Sequence, residues 1–215
     1  KGKETVLCAE KVLVATGRTP VFNAEELAKV GIAHTWQGIT VNEKMETSVP
    51  GIYAVGDVTG KWMLAHAASH QGLIAAENAC GCEAAMDYAA IPGCIFTTPE
   101  IAWVGLSEQE CVEAGREVKI SKFNFAGNGK ALTMGQTDGL VKLIADAATH
   151  KVIGCHIMGA HASDLIMEGA LAVRQGLTAE QLAETIHPHP TLSEAVGEAA
   201  MGLFGEMVHQ INLKK

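Results

Sequence analysis

Residues 139–158 read G-L-V-K-L-I-A-D-A-A-T-H-K-V-I-G-C-H-I-M. Two apolar runs, 139–146 and 152–158, flank the short stretch A-A-T-H-K, and this spacing predicts an antiparallel hairpin. Working outward, C-I-F (94–96), I-A-W-V-G (101–105) and V-K-I-S-K-F-N-F (118–125) read as further strands. S-E-Q-E (107–110) and T-A-E-Q (178–181) are capping boxes that open helices, and S-D-L-I-M-E-G-A-L-A-V-R-Q (163–175) is a longer helix. Runs of strands with helices after them predict an α+β domain built on an antiparallel sheet.

Residues before 94 have a different character. T-V-L-C-A (5–9) and K-V-L-V-A (11–15) read as two short strands closed by T-G-R-T-P. A short helix follows, with Asn23 as its N-cap, Glu26 three residues on and Gly31 at its end. T-S-V-P-G (47–51) is a turn into a buried strand, I-Y-A-V-G-D (52–57). An Ala-rich helix runs from about Leu64 to Ala79 and stops at Gly81, and D-Y-A-A-I-P-G (87–93) reads as a linker. This part is expected to be α/β. Because the chain opens on Lys1 with strands whose partners are missing, it is expected to be the C-terminal piece of a longer protein.

Composition narrows the function classes. The 215 residues carry a formal net charge of −8 and are 48 % hydrophobic, as in an ordinary soluble globular protein. An acidic chain without a Lys/Arg cluster repels phosphate backbones, so no nucleic-acid partner is expected. No apolar run reaches the roughly 18 residues of a membrane span and the opening residues show no signal-peptide pattern, so no membrane partner is expected. The six cysteines show no disulfide scaffold, which suits a cytoplasmic location. Cys80 and Cys82 form a lone C-x-C and are read as incidental.

Two stretches carry chemistry. In G-I-Y-A-V-G-D-V (51–58), Asp57 is expected at the end of a strand, where it can accept hydrogen bonds from ligand hydroxyls. The helix beginning near Leu64 points free N–H groups outward and favours negative charge on a ligand. A turn aspartate and an ordinary buried helix explain the same residues. In T-I-H-P-H-P-T-L-S-E-A (185–195), Pro188 and Pro190 stiffen the backbone around His189. An imidazole of ordinary pKa about 6.5 suits proton transfer from a thiol of about 8.5, and a carboxylate on its other nitrogen fixes the tautomer. T-L-S-E is equally a capping box, with Thr191 as cap and Glu194 reaching back, and the two roles of Glu194 are expected to compete. His66 and His70 are one helical turn apart, but H-A-A-S-H lacks a glutamate and a third ligand, so no metal site is expected.

V-L-V-A-T-G-R-T-P (12–20), T-S-V-P-G-I-Y-A-V-G-D-V (47–58), M-L-A-H (63–66), T-T-P-E-I-A-W-V-G (97–105) and H-P-H-P-T-L-S-E-A (187–195) occur in one order. Together they resemble the C-terminal part of the flavin-dependent disulfide reductases, and among these are most similar to the dihydrolipoamide dehydrogenases. The resemblance covers essentially the whole chain. It implies that residues 1–20 end an NAD-binding domain, 21–90 complete an FAD-binding domain and 91–215 form an interface domain for a homodimer. It also implies that Gly17 lies against the nicotinamide nucleotide, that Asp57 holds the ribityl chain of FAD, and that Met63, Leu64, Ala65 and His66 lie under the flavin. His189 becomes the active-site base and Glu194 the carboxylate that orients it, acting on the flavin–disulfide centre of the other subunit.

The family's N-terminal G-x-G-x-x-G, its C-x-x-x-x-C redox pair and its second glycine fingerprint are absent from these residues. The expectation is therefore a fragment, inactive alone, of an enzyme oxidising dihydrolipoamide with FAD and NAD. Its implied partner is the lipoyl domain of a 2-oxoacid dehydrogenase or glycine cleavage complex. The alternatives are a non-catalytic self-associating module, or a piece of a glutathione reductase-like or mercuric reductase-like enzyme.

Overall fold

The computed structural model describes residue 2 and residues 4–212. Its contacts divide into two units, 1–86 and 87–215.

In the first unit, helix α1 (Ala24–Val30) begins where Asn23 accepts the N–H groups of Glu25 and Glu26, and Gly31 ends it at φ +79°. Strands β1 (His34–Thr35) and β2 (Gly38–Ile39) form a tight antiparallel hairpin. A 3-10 turn (Gly56–Thr59) then packs on helix α2 (Ala65–Ala79). The strands expected at 5–9 and 11–15 do not form. Val6, Leu7, Val12, Leu13 and Val14 are 77–89 % exposed. Strand preference is a preference for a half-buried pleated surface, and an uncovered hairpin is marginal in water. The strand expected at 52–57 is reduced to a single bridge, Glu46 to Tyr53. Gly56, at φ +77°, turns the chain out of the extended region, and Gln71 Oε1 accepts its N–H at 2.7 Å.

The second unit runs β3 (Gly93–Ile95), β4 (Glu100–Gly105), α3 (Glu108–Glu113), β5 (Val118–Asn124), α4 (Gly129–Met134), β6 (Leu140–Asp146) and β7 (Val152–Gly159). Helices α5 (Ala162–Gln175), α6 (Ala179–Glu184) and α7 (Glu194–Gly202) follow. The five strands make one antiparallel sheet in the order β3-β4-β7-β6-β5. The expected hairpin is its centre: Val141 pairs with Ile157 and Leu143 with Cys155, with an irregularity at Ile144/Ala145. Both capping boxes form, at Ser107/Glu110 and Thr178/Gln181.

Alternation puts Val104, Phe123, Val141, Leu143, Cys155 and Ile157 on one sheet face, all at most 1 % exposed. Helix α5 covers this face over β4 and β7, and α7 covers it over β5 and β6. Gly169 lets α5 approach, since a Cβ there would lie 2.6 Å from that of Cys155. This is the expected α+β layer. The stretch 87–93 is tied down rather than loose: Asp87 pairs with Arg174 on α5 and Ile91 is buried. Among the described residues, no helix is long and apolar enough to cross a membrane.

Candidate functional site

The loop between α6 and α7 carries both histidines. His189 is 76 % exposed, with Nδ1 2.8 Å from Glu194 Oε1. The other carboxylate oxygen, Oε2, accepts the Thr191 N–H at 2.8 Å. Glu194 therefore meets the imidazole and caps the chain at once, one oxygen for each, which corrects the expected competition. The other half of the box is missing: the Thr191 hydroxyl donates to the Pro188 carbonyl at 2.6 Å instead. Burial works against ionisation of Glu194, yet the Thr191 N–H and the His189 ring hold its carboxyl below the ordinary value. Asn128, the N-cap of α4, donates from its amide to the Thr191 carbonyl at 3.0 Å and ties the loop to the sheet domain.

His187 engages a different element. Its Nε2 lies 2.7 Å from Glu168 Oε1 on α5, and its side chain is 11 % exposed. The hydrogen bond to Glu168 raises the His187 pKa against the opposing effect of burial. Gly197 on α7 makes room for this ring, since a Cβ there would stand 2.8 Å from His187 Nδ1. No local motif in the sequence marks Glu168 as the partner of His187, 19 residues away.

One turn beyond Glu194 on α7, Glu198 is 5 % exposed. Its Oε2 accepts the N–H groups of Val208 and His209 at 2.9 and 3.3 Å, and Oε1 is 2.7 Å from His209 Nδ1. A cavity of about 190 Å³ opens between His187, Glu194, Gly197, Glu198 and His209.

The remaining candidates lie in the first unit. Asp57 is exposed in the 3-10 turn, not at a strand end. Met63 and Leu64 are half-buried, and Ala65 and His66 are exposed where α2 begins. Leu64 is the N-cap and makes no side-chain capping bond, so no side chain of the cap residue occupies this helix end. Uncapped N–H groups carry partial positive charge and suit an anionic or strongly accepting group. Gly56 is packed against Ala68 of α2, with 3.2 Å to a would-be Cβ, so its small size serves the helix. Gly17 is exposed at φ +119°. Its neighbour Arg18 donates to the Met63 carbonyl at 3.1 Å and draws the A-T-G-R segment to the start of α2. Gln71, which fixes Gly56, was not singled out from sequence. Among the described residues no three metal-binding side chains converge, at His66 and His70 or elsewhere.

Residues 91–200 match the pyridine nucleotide-disulphide oxidoreductase dimerisation domain, and residues 1–72 match the pyridine nucleotide-disulphide oxidoreductase family description. The chain belongs to the pyridine nucleotide-disulphide oxidoreductases. It is 45 % identical to a dihydrolipoyl dehydrogenase of Thermus scotoductus over 98 % of its own length and 46 % of that protein. It is 44 % identical to one of Bacillus subtilis over 97 % of its length and 44 % of the relative. Among solved structures, LpdA of Mycobacterium tuberculosis superimposes with a TM-score of 0.81 at 32 % identity, covering 86 % of this chain and 41 % of that one. The HOCl-induced flavoprotein disulfide reductase RclA of Escherichia coli gives 0.78 at 25 % identity, covering 86 % and 43 %. The chain thus spans a little under half the length of the curated relatives it matches.

Proposed function

We propose that this chain is the C-terminal portion of an FAD-dependent dihydrolipoamide dehydrogenase that oxidises dihydrolipoamide to lipoamide with NAD. The observation that carries the reading is the exposed His189 held through Nδ1 by a carboxylate that is itself anchored to Thr191 N–H. Nε2 is left as the proton acceptor. His189 takes a proton from a dihydrolipoyl thiol, and Glu194 stabilises the imidazolium that results. The freed thiolate then attacks a redox disulfide by exchange, in a part of the enzyme outside these residues. Bound FAD supplies the two-electron store between dithiol and NAD.

Within this reading, residues 1–20 end the NAD-binding domain, 21–90 complete the FAD-binding domain and 91–215 form the interface domain of a homodimer. Asp57 holds the ribityl chain, Met63, Leu64, Ala65 and His66 lie under the flavin, and Gly17 lies against the nicotinamide nucleotide. The start of α2, whose N-cap residue Leu64 makes no side-chain capping bond, fits an electron-rich ring edge. The enzyme serves the lipoyl domain of a 2-oxoacid dehydrogenase or glycine cleavage complex in the cytoplasm, and the six free cysteines support a reducing compartment. The 215 residues alone are inactive.

His189→Gln in the full-length enzyme is expected to cut lipoamide turnover by about 10²-fold or more while flavin absorbance is unchanged. Near-normal turnover removes the base assignment.

A second reading treats these residues as a self-associating module. Met167 and Leu171, one turn apart on α5, are 57 % and 56 % exposed, an apolar stripe that pairing would cover. Sedimentation of the chain is expected to show a dimer at micromolar concentration, and a strict monomer counts against this reading.

A further inference from the structure

A second chain of polar groups lies in the 87–215 unit and has no part in the proton transfer above. Lys119 on β5 places Nζ 2.9 Å from His150 Nε2. His150 Nδ1 in turn is hydrogen-bonded to Glu180 Oε1 on α6. The side chains of His150 and Glu180 are 30 % and 42 % exposed, so the group is open to solvent on one side. Phe204 walls the other side: its ring lies edge-on to His150 at 5.3 Å and under Lys119 Nζ at 5.4 Å.

The backbone holds His150 in place at some cost. It sits at φ +57°, a left-handed conformation uncommon for a residue with a side chain. Its N–H donates to the Asp146 carbonyl and its own carbonyl accepts the Ala179 N–H, each at 2.9 Å. A strained residue fixed from both sides, with its ring between a carboxylate and an amine, has the layout of a base set to activate a nucleophile. The order carboxylate, imidazole, nucleophile is the one that general-base catalysis uses elsewhere with a hydroxyl or thiol. Glu180 is suited to the far end: the His150 hydrogen bond holds its carboxyl below the ordinary range.

We propose that Lys119 is a site of self-acylation by acyl thioesters, with His150 as its base and Glu180 orienting His150. In the step, the Lys119 ammonium first gives one proton through His150 to solvent, and the amine so formed attacks the thioester carbonyl. The amide bond forms as the C–S bond breaks, and the amine's second proton leaves with the thiol. No electrons change hands, and the thioester is the only co-reactant. Phe204 supplies an apolar wall for the acyl chain.

The test uses the whole chain and a small thioester, S-acetyl-N-acetylcysteamine, with the acetylation rate at each lysine read by peptide mass spectrometry. Lys122, exposed three residues along the same strand, is the internal control. Lys119 is expected to react on the order of 10²-fold faster than Lys122, the low end of what a positioned base gives. His150→Gln keeps a side chain able to accept from Lys119 and donate to Glu180 but removes the base, and is expected to bring Lys119 level with Lys122. Should that variant unfold, Glu180→Gln on the exposed face of α6 is expected to slow Lys119 in the same direction while Lys122 is unchanged. Equal rates at the two lysines in the unmodified chain overturn the proposal, as does a fast Lys119 that persists in the folded variants.

Discussion

Glu194 accepts one hydrogen bond on each carboxylate oxygen, so substitutions there separate orientation of the imidazole from capping of the chain. Glu194→Ala removes both and is expected to lower stability by about 1–2 kcal/mol in thermal unfolding, besides slowing the full-length enzyme. Glu194→Gln keeps an oxygen for Thr191 and gives up the charge opposite His189. It is expected to unfold near the parent temperature while turnover still falls. The His187–Glu168 pair predicts a pH dependence. His187 titrates above its ordinary value because of Glu168, so the stabilisation from its charged form is complete below about pH 6.5 and fades as pH rises through the folded value. Glu168→Gln should therefore cost more at pH 6 than at pH 9, about 1–3 kcal/mol at the acidic end, by denaturant titration. An equal cost at both values counts against a charged pair. The prolines and T-L-S-E made the His189 loop legible in sequence, since each acts on its immediate neighbours. Glu168 was not legible, because only the packing of α5 brings it to His187.

Among the helices, two glycines with the same nominal propensity should respond oppositely to alanine. Gly72 on α2 has open space around a would-be Cβ, so Gly72→Ala is expected to stabilise by about 0.5–1 kcal/mol. Gly197 on α7 faces the His187 ring at 2.8 Å, and there the clash outweighs the gain, giving a net loss of about 1–3 kcal/mol. Melting temperatures of the two variants check both signs. The same contrast explains which elements could be read in advance. The caps at Asn23, Ser107 and Thr178 depend on residues two or three apart, and all three form. The hairpin of β6 and β7 was written in a short turn between apolar runs. The runs at 5–9 and 11–15 had the same composition but no layer to lie on, and composition alone does not make a strand.

Across the whole molecule, burial is unevenly shared. Residues 87–215 hold a continuous core from Ala102 to Ala200. The first unit buries few large side chains, chiefly Ile32, Ile39, Val41, Met45, Ile74 and Met86. Expressed alone, 87–215 is expected to unfold in one cooperative transition, and 1–86 to show little cooperativity. Circular dichroism melts of the two pieces decide this, and a sharp transition in 1–86 contradicts it. Helix α7 links the ends of the larger unit. Glu194 grips the histidine loop, and Glu198, one turn on, grips the backbone of Val208 and His209. Glu198 sits mid-helix, one turn from Glu194, so the contact that fixes residues 208–209 and the contact that orients His189 share adjacent turns of one buried helix. Residues 208–209 thus brace the imidazole through one turn of α7, and a change there is expected to reach proton transfer as well as stability, because it leaves a buried carboxylate short of partners.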